Sequence, residues 1–146
     1  MKIVLDASAA ISLVLEKSFH ESLLDTIKEA ERVIAPNLYC AEVGSSLWKY
    51  RSLELVDLTE MLKRYQQAIS YIDEFFSIEK LTPAALRRAH QLNHSIYDMY
   101  YLVLADAYDA HLVTMDKRLV KLAQEQGIRH MEFWHYRMNN EVLELS

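Results

Sequence analysis

Apolar and polar positions follow two different periods along this chain, and the switches between them locate its elements. Residues 2 to 6 make a near-continuous apolar run closed by Asp6, the pattern of a strand buried on both faces. A helix is expected over about Ala7 to Glu16 and a second over about Phe19 to Glu31. Val33 to Ala35 reads as strand two, and Pro36 stops it ahead of a helix from about Leu38 to Arg51. Asp57 and Glu60 spell a capping box. After it, Leu58, Met61, Leu62, Tyr65, Ala68, Ile69, Ile72, Phe75 and Phe76 keep helical spacing, which predicts one long amphipathic helix over Leu58 to Phe76. Ser77 to Leu81 reads as a short strand, and Thr82 with Pro83 as the opening of a helix to about Asn93. A further helix is predicted over Ile96 to Ala110, strand four over His111 to Thr114, a helix over Lys117 to Gln126 closed by Gly127, and strand five over Met131 to Trp134. No interpretable pattern runs from His135 to Ser146.

Strands alternating with helices imply an α/β fold with a parallel sheet covered on both faces and right-handed crossovers. Such folds place their sites at the carboxyl ends of the strands. With 146 residues, 51% apolar composition and only 2 Gly and 2 Pro, the chain is expected to form a single domain over 1–146. Neither a leader nor a membrane span is expected, and a cytoplasmic location follows as an expectation. The single cysteine, Cys40, has no partner for an internal disulfide and sits in a helix pattern as a small core residue. A formal charge of −5 argues against a protein that coats nucleic acid, without excluding a nuclease.

The candidate chemistry lies in four short segments, MKIVLDAS, LYCAEVGSSLWKY, SIYDMYYLVLADA and HLVTMDKRL, which supply Asp6, Glu42, Asp98 and Asp116. Singly, each has an equally good structural reading: Asp6 and Asp116 as N-caps, Ser95 to Asp98 as a capping box, Glu42 as a solvated glutamate on a face with Ser46 and Lys49. Jointly they point elsewhere. Carboxylates gathered in one partly desolvated pocket repel, and a hard divalent cation with a preference for oxygen relieves that repulsion. A cation so held activates water against a phosphodiester. Lys49, Arg51, Arg87, Arg88, Lys117, Arg118 and Lys121 are candidates for phosphate contacts at the rim, although each alone reads as a wet surface charge.

With these segments in order, from LDAS through APNLYCAEVGSSLWKY and SIYDMYYLVLADAY to LVTMDKRL, the chain resembles the PIN-domain ribonucleases, and within them the VapC-like toxins of toxin-antitoxin pairs. The resemblance implies a three-layer α/β/α sandwich with a mostly parallel central sheet. It also implies a Mg²⁺- or Mn²⁺-dependent endoribonuclease, with one or two ions on Asp6, Glu42, Asp98 and Asp116. Ser8 and Thr114 match the family's supporting hydroxyl residues; otherwise they read as a first-turn serine and a strand-end threonine. Implied partners are a single-stranded or loop RNA, a cognate antitoxin placing an Arg or Lys among the carboxylates, and a second copy of the chain, with the Leu58 to Phe76 helix a candidate interface. Met99 and the paired tyrosines after it depart from the smaller residues the family often has there.

His90 and His94 lie one helical turn apart, a spacing that suits zinc, but HQLNH lacks the glutamate of the metalloprotease motif. Asp106 is a weaker candidate for supporting the site than for a polar helix face. Tyr97, Tyr100, Tyr101 and Tyr108 are candidates for base stacking, with a partly buried wall the better reading. Two further functions stay open: a PIN-type RNA-processing nuclease without an antitoxin, and a PIN scaffold without catalysis. A phosphoryl-accepting receiver fits less well, because LDAS offers one aspartate where paired acids are needed.

Overall fold

The structure is a computed structural model that describes residues 1–54 and 57–133. Its elements run β1 (Lys2–Leu5), α1 (Ala7–Val14), α2 (His20–Glu29), β2 (Arg32–Pro36), α3 (Leu38–Glu54), α4 (Leu58–Ser70), β3 (Glu74–Phe76), α5 (Ile78–Leu92), α6 (Ile96–Tyr108), β4 (His111–Val113) and α7 (Lys117–Glu125). All described strand pairs are parallel, in the order β3-β2-β1-β4. β1 is therefore flanked on both sides, as its unbroken apolar run requires.

The period of two along β1 divides the core. Ile3 and Leu5 point to one face and join Val33, Ala35 and Val113 beneath α1 to α4, while Val4 points to the other with Ile34 and Leu112 beneath α5 to α7. This is a three-layer α/β/α sandwich. The chain adds β2 and β3 on one side of β1 and then returns to add β4 on the other, so the order of construction reverses between β1 and β4. Parallel sheets open a crevice at the carboxyl ends of the two strands at such a reversal.

Three predicted elements are placed differently. The apolar pair Phe75 and Phe76 does not extend α4; it forms β3, with Phe75 packed into one core layer and Phe76 into the other. Asp73 fixes the change, since its backbone N–H donates to the Val33 carbonyl at 2.8 Å and its carboxylate accepts from the Val33 N–H at 2.8 Å. Ser77 to Leu81 is correspondingly helix rather than strand, and Pro83 lies inside α5. The Asn37 side chain caps α5 from across the sheet by accepting the Ile78 N–H at 3.1 Å, which frees Thr82 from that role; its hydroxyl donates instead to the Ile78 carbonyl at 2.5 Å. At the C-terminal end, Met131 to Phe133 are not a strand: an isolated bridge joins His130 to Leu112. Trp134 and the segment 135–146 lie outside the described residues.

Tyr39 ties the layer that carries Glu42. Its ring is fully buried and lies 5.9 Å from that of Phe75, and its hydroxyl donates to the Ala68 carbonyl of α4 at 2.6 Å. Tyr39→Phe is expected to cost about 1 kcal/mol by leaving that carbonyl without its buried partner, and Tyr39→Ala about 3 to 5 kcal/mol by opening a cavity. Urea unfolding of the three proteins measures both differences.

Candidate active site

The carboxyl end of β1 delivers Asp6 into the crevice, where it also caps α1. Its carboxylate accepts three hydrogen bonds: from Ser8 Oγ at 2.7 Å, from the Ala9 N–H at 3.0 Å and from Thr114 Oγ1 at 2.5 Å. Both hydroxyls then accept in turn, Ser8 from the Met115 N–H at 2.9 Å and Thr114 from the Asp116 N–H at 3.0 Å. Each hydroxyl has one proton to give, and each spends it on Asp6. The start of α1 and the loop after β4 are in this way stitched together through one carboxylate.

The remaining acids line up from there. Glu42, in the second turn of α3, accepts a 2.5 Å hydrogen bond from the buried phenol of Tyr101. Asp98 lies in the first turn of α6, 3.7 Å from His94 Nε2. Ser95 makes no side-chain cap bond, so the predicted capping box is not formed and Asp98 has no capping partner in Ser95. Asp116 caps α7 by accepting the Arg118 N–H at 2.9 Å.

Electrostatics links the four into a row. Burial pushes Asp6 up to about 6, against the three hydrogen bonds that favour its ionised form, with the charge of Glu42 adding to the rise. Glu42 is raised by burial, opposed by the Tyr101 hydrogen bond, with Asp98 adding to the rise. Asp98 is raised by burial and then by Asp116, with His94 and Arg118 opposing. Each acid thus feels the next, Asp6 to Glu42 to Asp98 to Asp116. An all-oxygen, mutually repelling donor set of this kind has the chemistry a hard divalent cation takes. As the side chains stand, no three His, Cys, Asp or Glu among the described residues form a group that could hold an ion. Glu42 is drawn to Tyr101, and Asp6 is closed in by its three donors.

The other predicted residues are not members of the row. His90 and His94 belong to no metal-holding group among the described residues. Asp106 pairs with Arg88 at 2.8 Å on an exposed face of α6, and Arg51 lies over the Trp48 ring at 3.9 Å. Tyr97 and Tyr108 are exposed; Tyr100 is buried and shares a 2.7 Å hydrogen bond with Thr82. Cys40 is half-buried. The role of Tyr101 as the partner of Glu42 escaped sequence reasoning, although it stands three residues after Asp98 and so on a neighbouring face of the same helix.

The PIN domain family model matches residues 3–125, a span that runs from β1 to the last residue of α7 and contains all four acids. Ribonuclease VapC3 of Pyrobaculum aerophilum is 27% identical over 125 residues, which cover 83% of this chain and 94% of that protein. The crystal structure of PAE2754, also from Pyrobaculum aerophilum, matches with a TM-score of 0.67 at 24% identity, over 96% of this chain and 90% of that one; at that identity the likeness is one of fold. The strand reversal, the acids at its mouth and a family match over most of the sequence agree, and the chain belongs to the PIN domain family.

Proposed function

We propose that this protein is a metal-dependent endoribonuclease, with Asp6, Glu42, Asp98 and Asp116 as the residues that hold Mg²⁺ or Mn²⁺, and that it acts as the toxin of a toxin-antitoxin pair. The observation that carries the reading is the row of four acids, drawn from four elements, each raised by burial or repelling one that is. Caps alone do not explain it: a capping aspartate gains from exposure and a helix N-terminus, whereas Asp6 is kept buried at a cost. The likeness to a ribonuclease named VapC3 supports the toxin reading over a processing nuclease or a scaffold.

A bound cation would supply a water of lowered pKa and charge to meet the phosphate. The chain's own residues supply placement. Asp6 is fixed in orientation by Ser8, Thr114 and Ala9, whose hydrogen bonds oppose the rise that burial causes; Tyr101 fixes Glu42; Asp98 and Asp116 close the row at the start of α6 and α7. In-line attack by water needs no covalent enzyme intermediate. RNA would be met as a single strand or loop, whose splayed bases proteins can read. No described helix is long and apolar enough to cross a membrane. The exposed side chains of Trp48, Leu58 and Leu62 on α3 and α4 support an antitoxin segment or a second copy docking there, with a basic side chain of the antitoxin among the acids.

Asp6→Asn, Glu42→Gln, Asp98→Asn and Asp116→Asn are each expected to lower Mg²⁺-dependent RNA cleavage by about 100-fold or more, since loss of a mere outer partner of a ligand already costs about 10- to 100-fold. EDTA should silence the wild type and Mn²⁺ restore it. Wild-type rates in all four variants would end the assignment.

Mutual repulsion also makes the site a source of strain in the metal-free protein. Apo Asp98→Asn is therefore expected to melt at or above apo wild type, while millimolar Mg²⁺ raises the wild-type midpoint more than the variant's. Equal shifts in both would show that Asp98 holds no cation.

The pH dependence follows from Asp6. Its folded value near 6 stands above the unfolded 3.8, so the native state takes up the proton first; that stabilisation is complete below the unfolded value and is lost as pH rises through about 6. Its full size is on the order of 3 kcal/mol. Metal-free protein should accordingly gain thermal stability as pH falls from 7.5 to 5.5, and saturating Mg²⁺ should reverse the slope because protons then compete with the cation. A flat metal-free profile would contradict the buried, proton-seeking state of Asp6.

A further inference from the structure

A cavity of about 390 Å³ opens beside the acids, between α1 and the second half of α3. Ser8 and Met115, the same two residues joined by the hydrogen bond behind Asp6, are part of its lining. Ile11, Ser12, Ser46, Lys17, Lys49 and Tyr50 complete its lining. No carboxylate lines it, although the chain carries five more acidic than basic side chains.

Lys17 is set in place by the backbone. Glu16 ends α1 in the left-handed conformation, φ 51°, which residues with a side chain rarely adopt. That turn brings the Lys17 N–H back to the Ser12 carbonyl at 2.9 Å, and the Lys17 carbonyl accepts the His20 N–H at 3.2 Å. The Lys17 ammonium then lies 4.3 Å from the centre of the Tyr50 ring, so that a cation and an aromatic surface share one wall.

A phosphate, a ribose and a base are the three chemistries such a wall accommodates: ammonium groups for the first, small hydroxyls for the second, a ring for the third. The volume is within the range of pockets that take small ligands. An acidic protein segment would meet the lysines but has no use for the ring or for continuity with the acid row, and a basic one would be repelled. We propose that this groove seats the RNA nucleotide adjoining the scissile phosphate, with Lys17 and Lys49 on its phosphate and Tyr50 on its base. The assignment rests on the ribonuclease reading for its substrate, but not on cleavage for its test.

The test is binding of a short, mixed-sequence, fluorescein-labelled single-stranded RNA, followed by anisotropy with Ca²⁺ as the cation across a range of salt. Lys17→Ala and Lys49→Ala should each weaken binding and reduce the slope of log affinity against log salt by about 0.7. Tyr50→Leu should weaken it about 5- to 100-fold with the slope unchanged, and Tyr50→Phe should retain wild-type affinity. The Mg²⁺-dependent rise of the thermal midpoint should stay at its wild-type value in all four, because the groove does not hold the cation. RNA affinity and salt slope unchanged in the lysine and leucine variants would overturn the proposal and leave the groove to a protein segment. Loss of the Mg²⁺ response along with RNA binding would overturn it too, by showing that the groove only supports the acids. A wild type that binds no RNA sinks the groove, whereas one that binds through these residues but cleaves nothing leaves the groove standing and removes the nuclease assignment alone.

Discussion

The fold turns on the balance at the Asp6 carboxylate. Burial disfavours its charge, and three hydrogen bonds restore much of what burial takes away. Two of the three donors arrive from places the chain must otherwise bring together: Ser8 from the start of α1 and Thr114 from the end of β4. The Asp6 N–H also donates to the Val113 carbonyl at 3.1 Å, continuing the β1–β4 pairing by one bond beyond the strand. Without Thr114, whose side chain is wholly buried, the carboxylate would lose a charge-assisted bond in a place with no water to replace it. The point where the sheet reverses its order is therefore also the point where charge is most expensive and best supported.

That coincidence explains the rest of the site's architecture. α6 is apolar around most of its circumference, with Met99 to Ala105 buried, so it must run through the core rather than across its surface. Threading it there sets Asp98 at the mouth of the crevice and Tyr101 one turn further in, against Glu42. The tyrosine meets two constraints at once, since its ring fills a core position and its hydroxyl satisfies a carboxylate that the core would otherwise leave poorly solvated. His94 and Arg118 oppose the repulsion at Asp98 from the outside.

Legibility in the sequence followed locality. The β1 run, the Asp57 cap of α4 and the closing Gly127, at φ 68°, are set by residues within one or two turns of each other, and they are found where the pattern puts them. Most of the errors are long-range. Phe75 and Phe76 satisfy helical spacing as well as strand alternation, and only pairing with β2, 40 residues earlier, decides between them. The Thr82 and Pro83 pair carries a real helix-start signal, overridden because Asn37 caps α5 from 41 residues away. Ser95 to Asp98 has the letters of a capping box without its bond. The four acids could be picked out as a set because strand ends and helix starts share one edge in a parallel sheet, and Ser8 and Thr114 stood beside them through the resemblance; the bonds those hydroxyls make and the partner of Glu42 were not legible, because they depend on side chains up to 108 residues apart.

Drawing the acids from four separate elements has a thermodynamic consequence. In the unfolded chain they are far apart in sequence and in water, so their repulsion exists only in the native state and is carried entirely by the packing of the two core layers. The layers can carry it because most of their apolar burial lies away from the acids. Ile3, Leu5, Val33 and Tyr39 on one face, and Val4, Ile34, Leu102 and Leu112 on the other, lie with their apolar side chains fully or almost fully buried on either side of the sheet. Asp6 joins core to site, at once the cap of α1 and the innermost member of the row. A cation there would therefore act on more than chemistry: by favouring the ionised form of Asp6, it would strengthen the bonds from Ser8 and Thr114 that hold the crevice closed at its base.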